Sequence, residues 1–265
     1  MVHLDGGGAN TARLDVTAAL AQRYDAKVIG IAACEPVRFA GDPYMDGELA
    51  VIERDIVTDE LARAQTDFEA HEALKPHVLA WRSIPTLDNL TDLIAEHARC
   101  ADLVITGAEA ALGNGSTHAD TGALVLRAGR PVLVVPDEAV PAQFKSILVA
   151  WADTRECRRA VVDALPLLKD ADRITIAQVS DDRPTARAAL DDVIAWLGRH
   201  GIEADRKISR EGRSGTNALA AIAANQNADL IVAGAYGHSR MREWMFGGVT
   251  RDLLLRERRC ALLAH

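Results

Sequence analysis

Three glycines near the end of the chain, Gly234, Gly237 and Gly247, stand in the spacing Gly-x2-Gly-x9-Gly. An apolar run, Asp229-Leu230-Ile231-Val232-Ala233, leads into them, and an apolar-periodic segment from Val249 to Leu255 follows. The run predicts a buried parallel strand and the segment a helix. Glycine at a strand end lets backbone N–H groups approach a ligand closely. Gly247-Gly248, opening a helix at Val249, offers free N–H groups and the positive end of a helix dipole to an anion. Together they describe a phosphate cradle at the carboxyl end of a strand. Tyr236, His238, Ser239, Arg240 and Arg242 surround it. The arginines suit phosphate oxygens, though solvated loop charges are an equal reading, while Trp244, Met245 and Phe246 suit core packing better. Glycines that merely tighten a strand–loop–helix connection are the plainer alternative for the whole motif.

Other chemistry is thin. Asp5-Gly6-Gly7-Gly8 lacks the third glycine of a dinucleotide fingerprint, and its acidic residue comes first. Asp5 equally fits turn formation. No Gly-x4-Gly-Lys-Ser/Thr is present, and no serine sits in a Gly-x-Ser-x-Gly elbow. His71-Glu72 with His77 is wrongly spaced for zinc on one helix face, and Pro76 interrupts it. Nothing marks an efficient catalyst.

The elements that must position the glycines come from a repeat. Ala101–Gly107 parallels Ala228–Gly234, and Arg130–Pro136 parallels Arg259–His265. Val2-His3-Leu4-Asp5 parallels Val149-Ala150-Trp151-Ala152. Three matches in one order predict a duplicated domain, and 265 residues suit two domains of about 130 residues. The expected boundaries are 1–137 and 144–265, with a Pro-containing linker between them. In the first half the pattern predicts strands at Val2–Leu4, Lys27–Ala33, His77–Arg82, Asp102–Gly107 and Pro131–Val135. Helices are predicted at Thr11–Tyr24, Glu48–Glu72, Leu87–Arg99 and Asp120–Ala128. The second half predicts strands at Ser146–Trp151, Arg173–Val179, Glu203–Ile208, Asp229–Gly234 and Cys260–Ala264. Its helices are Arg155–Leu168, Pro184–Arg199, Thr216–Asn225 and Val249–Glu257. Alternation of this kind predicts an α/β fold with parallel sheets and right-handed crossovers.

Acidic residues outnumber basic ones, 38 to 30, for a formal charge of −8. That argues against a general nucleic-acid or anionic-membrane surface. No apolar run approaches the ~18 residues of a membrane span, and no signal peptide precedes the first strand, so a cytoplasmic location is expected. The first strand is short enough to be clipped at its start. Cys34, Cys100, Cys157 and Cys260 form no Cys-x-x-Cys pair and read as buried free thiols.

On Gly234, Gly237 and Gly247 the chain resembles the universal stress protein family, whose nucleotide-binding members carry Gly-x2-Gly-x9-Gly-Ser/Thr. The resemblance implies two tandem open parallel five-stranded sheets flanked by helices, of the adenine-nucleotide alpha hydrolase-like, Rossmann-like kind. It implies packing as a pseudo-dimer through the final strands, with a homo-oligomer as the other arrangement. It also implies ATP or a relative, with Mg alongside, on the glycine loop, and an aspartate after the first strand contacting adenine. Asp5 holds that position in the first half, but Ala108-Glu109-Ala110 follows Gly107 where the glycine loop belongs. The first half is therefore expected to be nucleotide-free. In the second half Ala152 replaces the aspartate, leaving adjacent Asp153 as the substitute, and Trp151 either fills the adenine pocket or stacks on the base. Gly248 stands where the family has Ser/Thr, keeping the N–H and losing a hydroxyl contact of about 1 kcal/mol. The implied role is a non-catalytic, nucleotide-responsive stress module. A nucleotide-independent interaction protein is the rival, and a slow ATP hydrolase the third reading.

Overall fold

The computed structural model describes residues 1–7, 10–35, 46–86, 88–108, 117–210, 215–235 and 259–265; for 46–53 and 215–217 it describes the backbone path alone. Tyr236, Gly237, His238, Ser239, Arg240, Gly247, Gly248, Val249 and the expected helix Val249–Glu257 lie outside the described residues.

Ten strands are described: β1 (Val2–His3), β2 (Val28–Cys34), β3 (Val78–Pro85), β4 (Val104–Gly107), β5 (Val132–Val135), β6 (Ser146–Ala150), β7 (Arg173–Val179), β8 (Asp205–Ser209), β9 (Leu230–Gly234) and β10 (Cys260–Ala264). The helices are α1 (Thr11–Tyr24), α2 (Asp46–Ala70), α3 (Leu90–His97), α4 (Thr121–Arg127), α5 (Arg155–Asp163), α6 (Leu165–Lys169), α7 (Arg183–Arg199) and α8 (Gly215–Asn225). Side-chain caps set several helix starts. Asn89, Asp120, Thr154 and Asp182 each accept from the backbone N–H three residues on. One predicted helix is corrected: Arg155–Leu168 is two helices, broken at Ala164. Pro166 is the cause, since it has no N–H to continue α5 but fits the first turn of α6.

The two expected five-stranded parallel sheets meet edge to edge through their final strands. The strands form one ten-stranded sheet in the order β3-β2-β1-β4-β5-β10-β9-β6-β7-β8. Within each half every pairing is parallel; β5 and β10 meet antiparallel, with Leu133 opposite Leu262. Read outward from this seam, the halves share one strand order. The joining has a simple cause. Val132–Val135 and Cys260–Ala264 are buried throughout, and an open apolar edge would leave a row of unpaired N–H and C=O groups. Alternate residues of the seam strands point to opposite faces: Leu133, Val135 and Leu262 join one core layer, and Val132, Val134 and Leu263 the other. Both layers run across the seam, so burial as well as hydrogen bonding holds the halves together.

Of the four thiols, Cys34, Cys157 and Cys260 are buried, while Cys100 is exposed. It lies on a single 3-10 turn after α3, outside either core layer, which corrects the expectation for that residue. No described helix is long and apolar enough to cross a membrane.

Candidate functional site

In each half the chain runs from the first strand to its neighbours on one side, then returns to the other side of that strand. This puts a topological switch point between β1 and β4, and another between β6 and β9. Crevices at the carboxyl ends of such strands are where open α/β sheets bind ligands. Register defines equivalent residues. Val2 lies opposite Ile105, two residues before Gly107, and Val149 lies opposite Val232, two residues before Gly234. Thus Leu4 matches Trp151 and Asp5 matches Ala152. The bonds Leu4 N–H to Ile31 O (3.0 Å) and Trp151 N–H to Ala177 O (2.8 Å) repeat the same geometry.

The first crevice is filled by its own side chains. Arg13, in the first turn of α1, is 1% exposed, and its Nη2 donates to Asp5 Oδ2 at 2.5 Å. Its Nη1 donates to the carbonyl of His3 at 3.1 Å. Gly107 makes room for this guanidinium: a Cβ there would sit 2.9 Å from Arg13 Cζ. Asp5 N–H donates to Asn10 Oδ1, and Asn10 Nδ2 returns a bond to the Asp5 carbonyl. Gly6 N–H donates to Thr117 Oγ1 at 3.3 Å, and a Cβ on Gly6 would fall on the Glu60 backbone of α2. His118 Nδ1 lies 3.3 Å from Asp5 Oδ2, and His3 Nδ1 3.1 Å from Thr106 Oγ1.

Electrostatics follow from that packing. Burial pushes the Asp5 carboxyl up, but the hydrogen bond to His118 and the Arg13 charge outweigh it and hold Asp5 well below the usual carboxylate range. Burial pushes His3 down to about 4, so it is neutral near pH 7. The bond to Asp5 raises His118. The ion pair that Arg13 makes was absent from the expectations. Its sequence signal was an arginine on the buried face of α1, beside Leu14 and Thr17.

The second crevice is built from small groups. The α1 counterpart is α5, capped by Thr154, whose Oγ1 accepts from Cys157 N–H at 3.3 Å. Cys157 occupies the helix position that Arg13 holds in α1. Its thiol is buried, lies 3.5 Å from the Ala150 carbonyl, and is pushed up to about 11 by burial. Gly234 ends β9 directly against this helix: a Cβ would fall on the Glu156–Cys157 backbone. Among the described residues no counterpart of the Asp5–Arg13 pair stands here: Ala152 and Cys157 hold those two places.

Among the predicted site residues, Gly234 therefore sits at the switch point. Asp153 lies on the surface beside it, 64% exposed, with Oδ1 3.0 Å from Arg158 Nη2. Trp151 is 8% exposed and packed in the core layer with Cys157 and Ala160. Glu156, 5% exposed and paired with Arg155, was not foreseen. It follows the Thr154 cap in the first turn of α5, where a carboxylate favours the helix dipole.

Comparison with known proteins agrees with this geometry. The structure resembles that of a universal stress protein from Archaeoglobus fulgidus DSM 4304, at 15% identity, with 100% of this chain and 95% of that one covered and a TM-score of 0.69. It also resembles a protein of unknown function from Pseudomonas aeruginosa PAO1, at 13% identity, with 95% and 86% covered and a TM-score of 0.52. At such identities the likeness is one of fold. No curated protein sequence matches the chain. Residues 143–258 match the model of the Universal stress protein family, so the half that carries the glycine motif is a universal stress protein domain, joined to a first half that repeats its strand order.

Proposed function

We propose that this chain is a non-catalytic, cytoplasmic stress-response module whose second half holds an adenine nucleotide, ATP or a relative, while its first half holds none. The domains are 1–137 and 144–265. The observation that carries the reading is the contrast at the two switch points. A buried guanidinium and carboxylate occupy the first, whereas among the described residues the second has Ala152, Cys157 and Gly234 and no such plug. The sequence motif fits a phosphate ligand: Gly234 opens it, and Gly237, Gly247, Gly248 and Val249 would supply backbone N–H groups to the phosphates. Tyr236, His238, Ser239 and Arg240 complete the loop, Arg240 as the counter-charge. Mg²⁺, where present, would accompany the phosphates and neutralise part of their charge.

The base is gripped weakly. Ala152 has no carboxylate for an adenine amine, and Asp153 would have to leave Arg158 to serve. Selectivity among nucleoside triphosphates is therefore expected to be low. Titration calorimetry with Mg-ATP tests the reading: one site per chain is expected, abolished by Gly237→Trp and unchanged by Arg13→Lys. No heat, together with no nucleotide in the purified protein, overturns it. That result would favour the rival, a nucleotide-independent interaction protein, for which the core-packed Trp151 is the supporting observation.

A further inference from the structure

The cluster that fills the first crevice has one histidine within reach of solvent. His118 is 25% exposed, whereas His3, Asp5 and Arg13 are almost wholly buried. We propose that His118 is a pH-operated latch: as an imidazolium it holds the segment entering α4 against the turn that follows β1, and its deprotonation frees that segment. This inference concerns the first half and does not depend on nucleotide binding by the second.

The contacts define what the latch joins. Thr117 and His118 lie just before Asp120, the cap of α4. Thr117 Oγ1 accepts from Gly6 N–H, and His118 Nδ1 meets Asp5 Oδ2 at 3.3 Å. Asp120 N–H is tied to Thr91 Oγ1 instead, so the far side of the segment is anchored independently of the turn.

The charges favour a proton on His118. Asp5 faces it from the end of β1, Arg13 from α1, and Asp137 from the chain beyond β5, its Oδ1 3.8 Å from Arg13 Nη2. Two carboxylates thus share one guanidinium, and a proton on His118 brings the group to neutrality. His3, on β1, also faces Asp5, at 3.8 Å, but as a neutral ring. The hydrogen bond to Asp5 raises His118, with burial and Arg13 opposing. A raised histidine contributes stability that is fully present below the ordinary value near 6.5 and is lost as pH rises through the native value. His3 and Asp5 keep their charge between about pH 5.5 and 8.5, so His118 supplies the change.

Hydrogen exchange of the full chain, corrected for the intrinsic pH dependence of exchange, reads the latch directly. Peptides spanning Asp5–Gly6 and Thr117–Asp120 should lose protection about five-fold between about pH 5.5 and 8.5, the scale of removing the imidazolium charge from a hydrogen bond whose carboxylate stays ionised. The midpoint should coincide with the NMR titration of the His118 ring, and the α5 and β9 peptides should not follow it. In His118→Gln the first-half peptides should show the low protection at both pH values. Equal protection of the wild type at the two pH values, or a wild-type pH response retained by His118→Gln, would overturn the proposal.

Discussion

The two switch points share a strand order and differ in what the first helix brings to them. In the first, α1 reaches Gly107 with a long charged side chain, and the loop before it, Asp5 to Asn10, is held by its own hydrogen bonds. In the second, the loop is three residues shorter between equivalent points, and α5 reaches Gly234 with its backbone. A duplicated scaffold can therefore keep its sheet while one crevice holds an internal ion pair and the described part of the other presents alanine, cysteine and glycine. The lesson is that the sheet depends on alternating apolar residues, which tolerate drift, while the crevice depends on single side chains, which do not.

The largest expected effect tests the backbone contact of the second crevice. Gly234→Ala places a Cβ on the Glu156–Cys157 backbone, which cannot move aside without displacing α5. A loss above about 4 kcal/mol, or failure to fold, is expected from denaturant unfolding. Gly107→Ala meets the Arg13 side chain instead and should cost about 1–3 kcal/mol. Equal costs would erase the distinction drawn between the halves.

Next is Asp5→Ala, which leaves Arg13 buried and uncompensated and should cost about 3–5 kcal/mol. Its positional counterpart, Ala152→Ser, should fall within about 1 kcal/mol of wild type. A mild Asp5→Ala phenotype would show that the guanidinium finds other partners.

Acidification follows. His3 is about 4 in the folded chain against an ordinary 6.5, so the unfolded chain binds the extra proton between those values. Stability falls as pH drops through that window, by about 3 kcal/mol at its lower end, while the contribution of His118 is already fully present there. His3→Gln should remove most of the drop in a pH series of unfolding midpoints. An unchanged drop would place the acid sensitivity elsewhere.

The smallest effect concerns the contact between the halves. Arg23 Nε and Tyr24 Oη both donate to Asp170 Oδ2, at 2.6 and 2.7 Å, and these groups line a cavity of about 300 Å³ with Leu20, Phe144 and Leu167. The pair is about one-third exposed, so Asp170→Asn should cost under about 1 kcal/mol in thermal unfolding. A larger loss would mean that the halves depend on this contact more than on the β5–β10 seam.

Much of the fold was legible. Thr11–Tyr24, Arg173–Val179 and Cys260–Ala264 have the bounds that periodicity predicts, because helix and strand periods are written locally. The repeat was legible because the strands that match in sequence are equivalent in register. The break at Pro166 was a missed local signal. The site was legible only in part. Gly234 falls at a switch point, as its spacing suggests, yet nothing near Asp5 in sequence announces Arg13 as its partner, since a buried arginine on a helix face resembles any surface arginine until packing is known.

The chain by itself determined the order of strands and helices, the duplication, and the placing of the glycine motif after a buried strand, since these rest on local periodicity or on direct matches between segments. Tertiary structure alone decided that the halves share a single sheet, that Arg13 and His118 close on Asp5, and that Asp153 turns outward to Arg158. Those outcomes depend on which edges and side chains packing brings together, whether eight residues apart, as Asp5 and Arg13 are, or across the two halves, and on the cost of leaving a buried strand edge or a buried charge without a partner.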